Sequence, residues 1–316
     1  MTETLSPKSA EDVLRAVRWA QTHEAPLDVV AGGTKRGWGR PGETTNHVLD
    51  LGALSGIDLY EPDELVLTAK AATPLAEIEA ALADQDQALA FEPPDFGPLF
   101  GQPAGRQTLG GAVSCNLGGP RRIKAGAARD HLLGFHAVTG RGEAIKSGGR
   151  VVKNVTGYDL SKLVTGAFGT LCVLTDLTVK VLPRGEKTRT VLLYAQEDGE
   201  AVAAMAEALN SPHELSAAAH LPRGVALRST VGRVRDRNRA VTAVRVEGPG
   251  PSVEHRCAEL RALWAGRGET EELHGHNSAT FWTEVRDVAP LLPDPETAVW
   301  RISVAPAAGA AIAEAA

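Results

Sequence analysis

The chain has 316 residues, 43% of them hydrophobic and 23% charged, with a formal net charge of −6 and a pI near 5.9. That balance describes a globular protein with room for two domains, and it speaks against a nucleic-acid partner, whose phosphates call for a basic surface. Cys115, Cys172 and Cys257 are odd in number and far apart, which favours neither a disulfide framework nor a zinc site. No N-terminal run has the form of a signal peptide, and no stretch reaches the ~20 apolar residues of a membrane span, so the expected location is cytoplasmic.

In chain order, Ser9 is placed to cap a first helix whose apolar face is Val13, Ala16, Val17 and Ala20. Leu27 to Ala31 reads as a short strand that delivers the chain to Gly32-Gly33-Thr34-Lys35-Arg36. Leu65 to Ala71 is strand-like, and Thr73-Pro74 supplies an N-cap and first helical position for a helix carrying Leu75, Ile78 and Leu82. From Phe91 to Pro103 the density of proline and glycine predicts a loop. That loop feeds a second glycine pair, Thr108-Leu109-Gly110-Gly111, with Ser114 and Asn116 just beyond. Glycines let a polyanion approach the backbone, and amides at the start of a helical turn point donors at it. Two such turns a βαβ-sized stretch apart suit one large dinucleotide better than a lone phosphate.

Arg121, Arg122, Lys124 and Arg129 then concentrate positive charge, either to neutralise phosphate or steer a substrate, or as a solvated loop. Phe135 to Thr139 and Ala144 to Lys146 form a hairpin pattern about Gly140-Arg141-Gly142-Glu143, and His131 and His136 beside it read as histidines accommodated by the fold. A short helix carries Leu160, Leu163 and Val164, with Thr156 or Asp159 as its cap. Alternation from Val173 to Val181 predicts a strand that Pro183 ends. Beyond Arg184 the glycine-rich blocks stop. Strands are expected at Thr190–Ala195, Val241–Val246 and Val299–Val304, and helices at Ala201–Leu209 and Val253–Trp264, close to a split βαβ arrangement. Arg233 to Arg239 reads as a solvated turn or, alternatively, a docking surface for an acidic partner; His274-Gly275-His276 lacks a third ligand at metal spacing.

The blocks "AGGTKRGWG", "TLGGAVSCNLGGPRR", "AGAARDHLLG", "GGRVVKNVTGYDLSKL" and "GAFGTLCVLTDLTVKVLP" resemble, in order, those of the FAD-binding domain of the vanillyl-alcohol-oxidase/PCMH superfamily. The middle blocks are similar to the E-type FAD-binding subunits of bacterial glycolate oxidase. The resemblance implies an α+β fold: a PCMH-type two-subdomain FAD-binding domain over residues 1–183, then a cap domain over 184–316 of α+β, ferredoxin-like character. Members of the family usually continue with further strands, a closing helix and an "FNPGR"-like signature, so the cap is expected to be shortened. The residues that the resemblance sets against FAD are Ala31, Gly32, Gly33, Thr34, Lys35, Arg36, Thr108, Leu109, Gly110, Gly111, Ser114, Asn116, Gly126, Asp130, Asn154, Gly157, Tyr158, Gly169, Leu171 and Val173. Some members tether the flavin to a histidine in the first turn; Gly32 to Gly39 contains none, so FAD is expected to be non-covalent. Glycine is usual where this chain has Cys172, which adds bulk beside the expected adenine end.

The implied activity is that of a flavin-dependent 2-hydroxy-acid dehydrogenase of the glycolate oxidase type, taking a hydride from the substrate α-carbon. The implied partners are a larger FAD-binding catalytic subunit and an iron–sulfur subunit that carries electrons onward, with any membrane association peripheral and through them. No residue presents itself as catalytic base, and no metal site is expected. Two other readings stay open: a non-catalytic FAD-binding assembly module, and a stand-alone NAD(P)H-dependent flavin reductase resembling the UDP-N-acetylenolpyruvoylglucosamine reductase, against which "KNVTGYDLSKL" argues.

Overall fold

The computed structural model describes residues 3–40, 45–151, 157–292 and 298–315. The chain divides into two compact units: Met1–Gly119 with Gly126–Arg184, and Pro120–Ala125 with Gly185–Ala316. The division is discontinuous, which the sequence does not announce: a six-residue segment inside the first stretch clusters with the second unit.

In the first unit β1 (Glu3–Leu5), β2 (Leu27–Val30) and β3 (His47–Asp50) make a parallel sheet with β3 in the middle. Between the first two, α1 (Ala10–Thr22) starts where the Ser9 hydroxyl accepts the Asp12 amide at 3.1 Å. Its buried face is Val13, Leu14, Val17 and Ala20, and the first three of these pack with Leu49, Leu51 and Val173. Next come β4 (Ile57–Glu61), β5 (Val66–Lys70), α2 (Leu75–Ala83), β6 (Gln87–Ala88) and α3 (Leu109–Ser114); after α4 (Arg122–Ala125), which belongs to the second unit, the first unit resumes with α5 (Ala128–His131), β7 (Leu132–Thr139), β8 (Ala144–Gly148), α6 (Leu160–Val164), β9 (Cys172–Lys180) and β10 (Leu182–Pro183). Five of the strands form an antiparallel sheet in the order β4-β5-β9-β7-β8, and β6 pairs with β10. Leu67, Ala69, Leu177 and Val179 from this sheet pack with Leu75, Ile78, Leu109 and Val113 of α2 and α3. That packing fixes α3, and α3 sets one wall of the site below.

Two local expectations change. Pro74, not Thr73, is the N-cap of α2; the Thr73 hydroxyl instead donates to the Gly56 carbonyl at 3.0 Å and accepts its amide at 2.9 Å. In β9 the alternation breaks: Ala137 faces Leu174 but His136 faces Asp176, so Thr175 is an extra residue. A bulge exchanges the faces of a strand. Cys172 and Leu174 therefore join Leu177 and Val179 in the main core, while Val173 turns to the α1 side.

In the second unit β11 (Lys187–Tyr194), α7 (Asp198–Leu209), β12 (Ala217–Leu221), α8 (Arg223–Ala226), α9 (Gly232–Arg235), β13 (Val241–Gly248), α10 (Gly250–Leu263), β14 (Thr270–His274) and α11 (Gly275–Arg286) follow one another. The sheet is antiparallel with order β12-β13-β11-β14, the strand order of a split βαβ fold. Val191, Leu193, Val244 and Val246 meet Val253, Cys257, Leu260 and Trp264 on the α10 face. Leu192, Tyr194, Val241 and Ala243 meet Phe281 and Trp282 of α11 on the other. The fourth strand is β14 and not Val299–Val304, which carries no strand. A strand needs a pairing neighbour as well as a favourable pattern, and Trp300 stands 83% exposed.

The basic segments also find internal partners. Arg121 places two nitrogens on the Glu247 carboxylate, at 3.0 and 2.6 Å, and Lys124 lies 3.3 Å from Glu214, so this charge serves the second unit. Arg233 begins as part of α9 and pairs with Glu271, and Arg237 and Arg239 pair with Glu269 at 3.1 and 3.5 Å. The segment that follows Arg235, as far as Arg239, is an exposed turn, as expected, and its arginines are paired at the surface with carboxylates of their own unit, which speaks against the alternative of a docking surface for an acidic partner.

Trp264 is fully buried, and its indole N–H donates to the Ala204 carbonyl at 3.3 Å. Trp264→Ala leaves a large cavity and removes that hydrogen bond, so urea unfolding of the second unit should show a loss of about 3–5 kcal/mol.

Candidate functional site

A cavity of about 440 Å³ in the first unit is bounded by the turn after β2, the start of α3 and the segment leading into β9. From the first turn Ala31, Gly32, Gly33, Thr34, Lys35 and Arg36 line it; from α3 Thr108, Gly110, Gly111 and Ser114 do; and Gly169 and Val173 line the third side. The two glycine turns therefore face one space. They meet closely: a Cβ on Gly32 would stand 1.9 Å from the Arg106 carbonyl oxygen. Only glycine lets these backbones come together.

The donors at the two turns are not equivalent. Helix α3 is capped by the Thr108 hydroxyl, which accepts the Gly111 amide at 3.3 Å. The Leu109 and Gly110 amides are taken by the Thr73 and Ala71 carbonyls at 3.0 and 2.8 Å. Gly110 thus offers no amide to a ligand, contrary to the reading of this turn as a pair of free donors. It is glycine for another reason, since a Cβ there would meet the Ala71 carbonyl oxygen at 2.7 Å. At the first turn Gly33 has φ +68°, and among the described residues no hydrogen bond occupies the amides of Gly33, Thr34 or Lys35. This turn resembles an anion-binding nest of backbone N–H groups.

Lys35 supplies the charge. Its ammonium donates to the Thr34 hydroxyl at 3.0 Å, and among the described residues no ion pair joins it to a carboxylate. Burial pushes its pKa below the usual 10.5, against the weaker opposing pull of Cys115 and Asp95. A shielded ammonium beside unengaged amides is completed by an anion. By contrast Arg36 is already paired with Asp28 on the cavity wall. The Cys115 and Cys172 thiols also line the cavity, both pushed up by burial, Cys172 to about 11, so neither is a thiolate at neutral pH.

Other expected contacts lie elsewhere. Leu109 is fully buried in the core behind the cavity. Asn116 accepts the Arg129 amide at 3.0 Å, and Asp130 accepts the Ala127 amide at 2.9 Å across Gly126, so these three shape the chain after α3 and do not line the cavity. Gly157, Tyr158 and Leu171 are exposed and outside it, Tyr158 by 93%. Asn154 and Thr156 lie outside the described residues. His131 is buried against Phe91, and His136 is exposed beside Asp176 at 3.9 Å. Among the described residues no group of histidine, cysteine or carboxylate side chains could hold a metal ion, and no helix is long and apolar enough to cross a membrane. Sequence reading missed Asp28, Leu51, Ala71, Cys115, Phe168, Thr170 and Leu174 as lining. For Cys115 the signal was its place between Ser114 and Asn116, and for Phe168 its place beside Gly169.

The model of an FAD binding domain matches residues 3–148. Over 298 residues the chain is 36% identical to glycolate oxidase subunit GlcE of Escherichia coli (strain K12), covering 93% of this chain and 73% of that protein. The chain belongs to the glycolate oxidase subunit GlcE family. It is also 31% identical to glycolate oxidase subunit GlcD of Bacillus subtilis (strain 168) over 62% of this chain and 40% of that one. Its fold is that of a solved alkyldihydroxyacetonephosphate synthase, with a TM-score of 0.69 at 17% identity over 90% of this chain; the chain spans 54% of that structure. As in the GlcE family, the cofactor is FAD, and the protein is an FAD-dependent oxidoreductase subunit. The cavity fits that cofactor: an anion cradle of free amides and one ammonium, closed by glycines that side chains would fill.

Lys35→Met should weaken FAD about ten- to a hundredfold, the ~1.5–3 kcal/mol of hydrogen bonds to a charged group, measured by titrating apo-protein. Because a bound diphosphate raises the Lys35 pKa, affinity should fall as pH climbs through its depressed apo value, and Lys35→Met should lose that slope. Gly111→Leu puts its Cβ between the Thr108 hydroxyl (3.2 Å) and the Lys35 ammonium (3.6 Å) and should leave the purified protein colourless, whereas retained yellow colour would show that the diphosphate lies elsewhere.

Proposed function

We propose that this chain is the FAD-holding subunit of a glycolate oxidase-type complex that oxidises a small 2-hydroxy acid. The observation that carries the reading is the convergence of the Gly33–Lys35 amides and the Lys35 ammonium on the cavity shared with α3, in a chain so similar to GlcE. Bound FAD supplies the acceptor for a hydride from the substrate α-carbon. The chain's own part is to hold the cofactor: the first turn and Lys35 anchor the diphosphate, Thr108 and Gly111 set the α3 wall against it, and Val173 and Leu174 exclude water along one side. Electrons then pass on through partner subunits, a second flavoprotein of the GlcD kind and an iron–sulfur subunit. A cytoplasmic place, with peripheral attachment through those partners, goes with this reading.

A second reading is favoured by the chemistry of the lining. Its ionisable groups are Lys35, the Asp28–Arg36 pair and two protonated thiols, all suited to holding rather than to proton transfer at neutral pH. The substrate would then be oxidised on the partner, with this FAD a relay or structural group. Anaerobic mixing with glycolate or D-lactate separates the two. Bleaching of the flavin in the isolated chain supports catalysis here, and bleaching only with the partner subunits supports the relay. Reduction by NADPH alone would contradict both.

A further inference from the structure

Phe168 is the least comfortable residue at the cavity. Its backbone lies at φ +53°, between Gly166 at +85° and Gly169 at +75°. Glycine adopts such angles freely, but a bulky aromatic residue does so only under constraint. The constraint is visible: the Phe168 amide donates to the Ser114 carbonyl at 2.8 Å, and the Gly166 amide to the Val113 carbonyl at 3.1 Å, so the loop is clamped to the end of α3. Core burial does not explain the residue, because Phe168 is 58% exposed. It stands on the cavity wall beside Gly169 and Thr170. Its ring meets the Trp38 ring edge-on at 5.9 Å, and Trp38 in turn meets Phe96 edge-on at 5.5 Å.

Resting on the FAD reading of the cavity, we propose that Phe168 is a stacking residue for one heterocyclic ring of the dinucleotide, held in a strained backbone so that its face stays presented before the cofactor arrives. Strained residues kept at ligand sites are a recurring form of pre-organisation. An exposed aromatic face next to a phosphate cradle offers what every nucleotide ring shares, a flat π-surface to cover. The Trp38–Phe96 contacts brace the ring and limit the rotamer freedom that binding would otherwise remove.

The test is Phe168→Asn in the full chain. Asparagine tolerates the left-handed region and removes the ring. The apo-protein should melt at the same temperature or higher than wild type, while FAD binds more weakly by roughly ten- to a hundredfold, the range that loss of a base–aromatic stack gives. Phe168→Tyr should restore the affinity. Competition by ADP and by FMN tells the two ring sources apart: the variant's loss follows ADP if Phe168 covers adenine, and FMN if it covers the isoalloxazine. A variant that binds FAD as tightly as wild type overturns the stacking role while leaving the FAD site standing. A wild-type chain that binds no FAD overturns the FAD reading itself. Weakened binding with a lowered apo melting temperature, unrescued by tyrosine, would make Phe168 a structural residue only.

Discussion

An ammonium held away from water without a carboxylate beside it is a local cost that an anion relieves. Lys35 approaches that state: it is half-buried, Asp95 acts on it only weakly, and among the described residues no carboxylate pairs with it and no hydrogen bond occupies the amides of Gly33, Thr34 or Lys35. The rest of the first unit is arranged to make this tolerable. β2 delivers the turn, β3 fixes β2 from one side, and the five-stranded sheet holds α3 so that its capped start forms the facing wall. The glycines at 32 and 110 are needed for backbone approach, one against the Arg106 carbonyl and the other against the Ala71 carbonyl. Conformational freedom and close packing thus do separate jobs at neighbouring glycines.

The split of roles between the two turns is the main refinement to a simple picture of paired phosphate loops. At α3 the first amides are already bonded to the strand before α2 and to the Thr108 cap, so the helix start acts as a rigid wall with little donor capacity left. The first turn carries the donors and the charge. A cofactor that binds through such a nest is held mainly at its diphosphate, and its rings must be positioned by the surrounding apolar and aromatic residues. That is where Val173, Leu174 and Phe168 stand.

Much of this was legible in the sequence because it is written in local chemistry. The glycine pairs, the Ser9 cap, and the apolar faces of α1 and α10 are short-range signals. What was not legible depended on partners far along the chain. The bulge at Thr175 exchanges the faces of β9 and cannot be seen in its alternation. β12 (Ala-Ala-Ala-His-Leu) and β14 (Thr-Glu-Glu-Leu-His) have weak strand propensity and exist because β13 and β11 pair with them, whereas the well-patterned Val299–Val304 finds no such neighbour. Arg121 and Arg237 looked like charge available to a ligand or a partner, yet each is answered by a glutamate within its own unit. For the site, proximity in sequence to a motif was a poor guide beyond the turns themselves: Asn116, Gly126 and Asp130 sit in the right block but spend their contacts on the chain that follows α3.

The central claim is that the turn at Ala31–Arg36 and the start of α3 close on one diphosphate, with the turn as the principal donor. Hydrogen exchange of the apo-protein with and without FAD addresses it directly. FAD should slow exchange most at Gly33, Thr34 and Lys35, and should slow the Thr108–Asn116 segment in the same step and with the same concentration dependence. Protection of only one of the two segments, or of neither while FAD remains bound, would contradict the account.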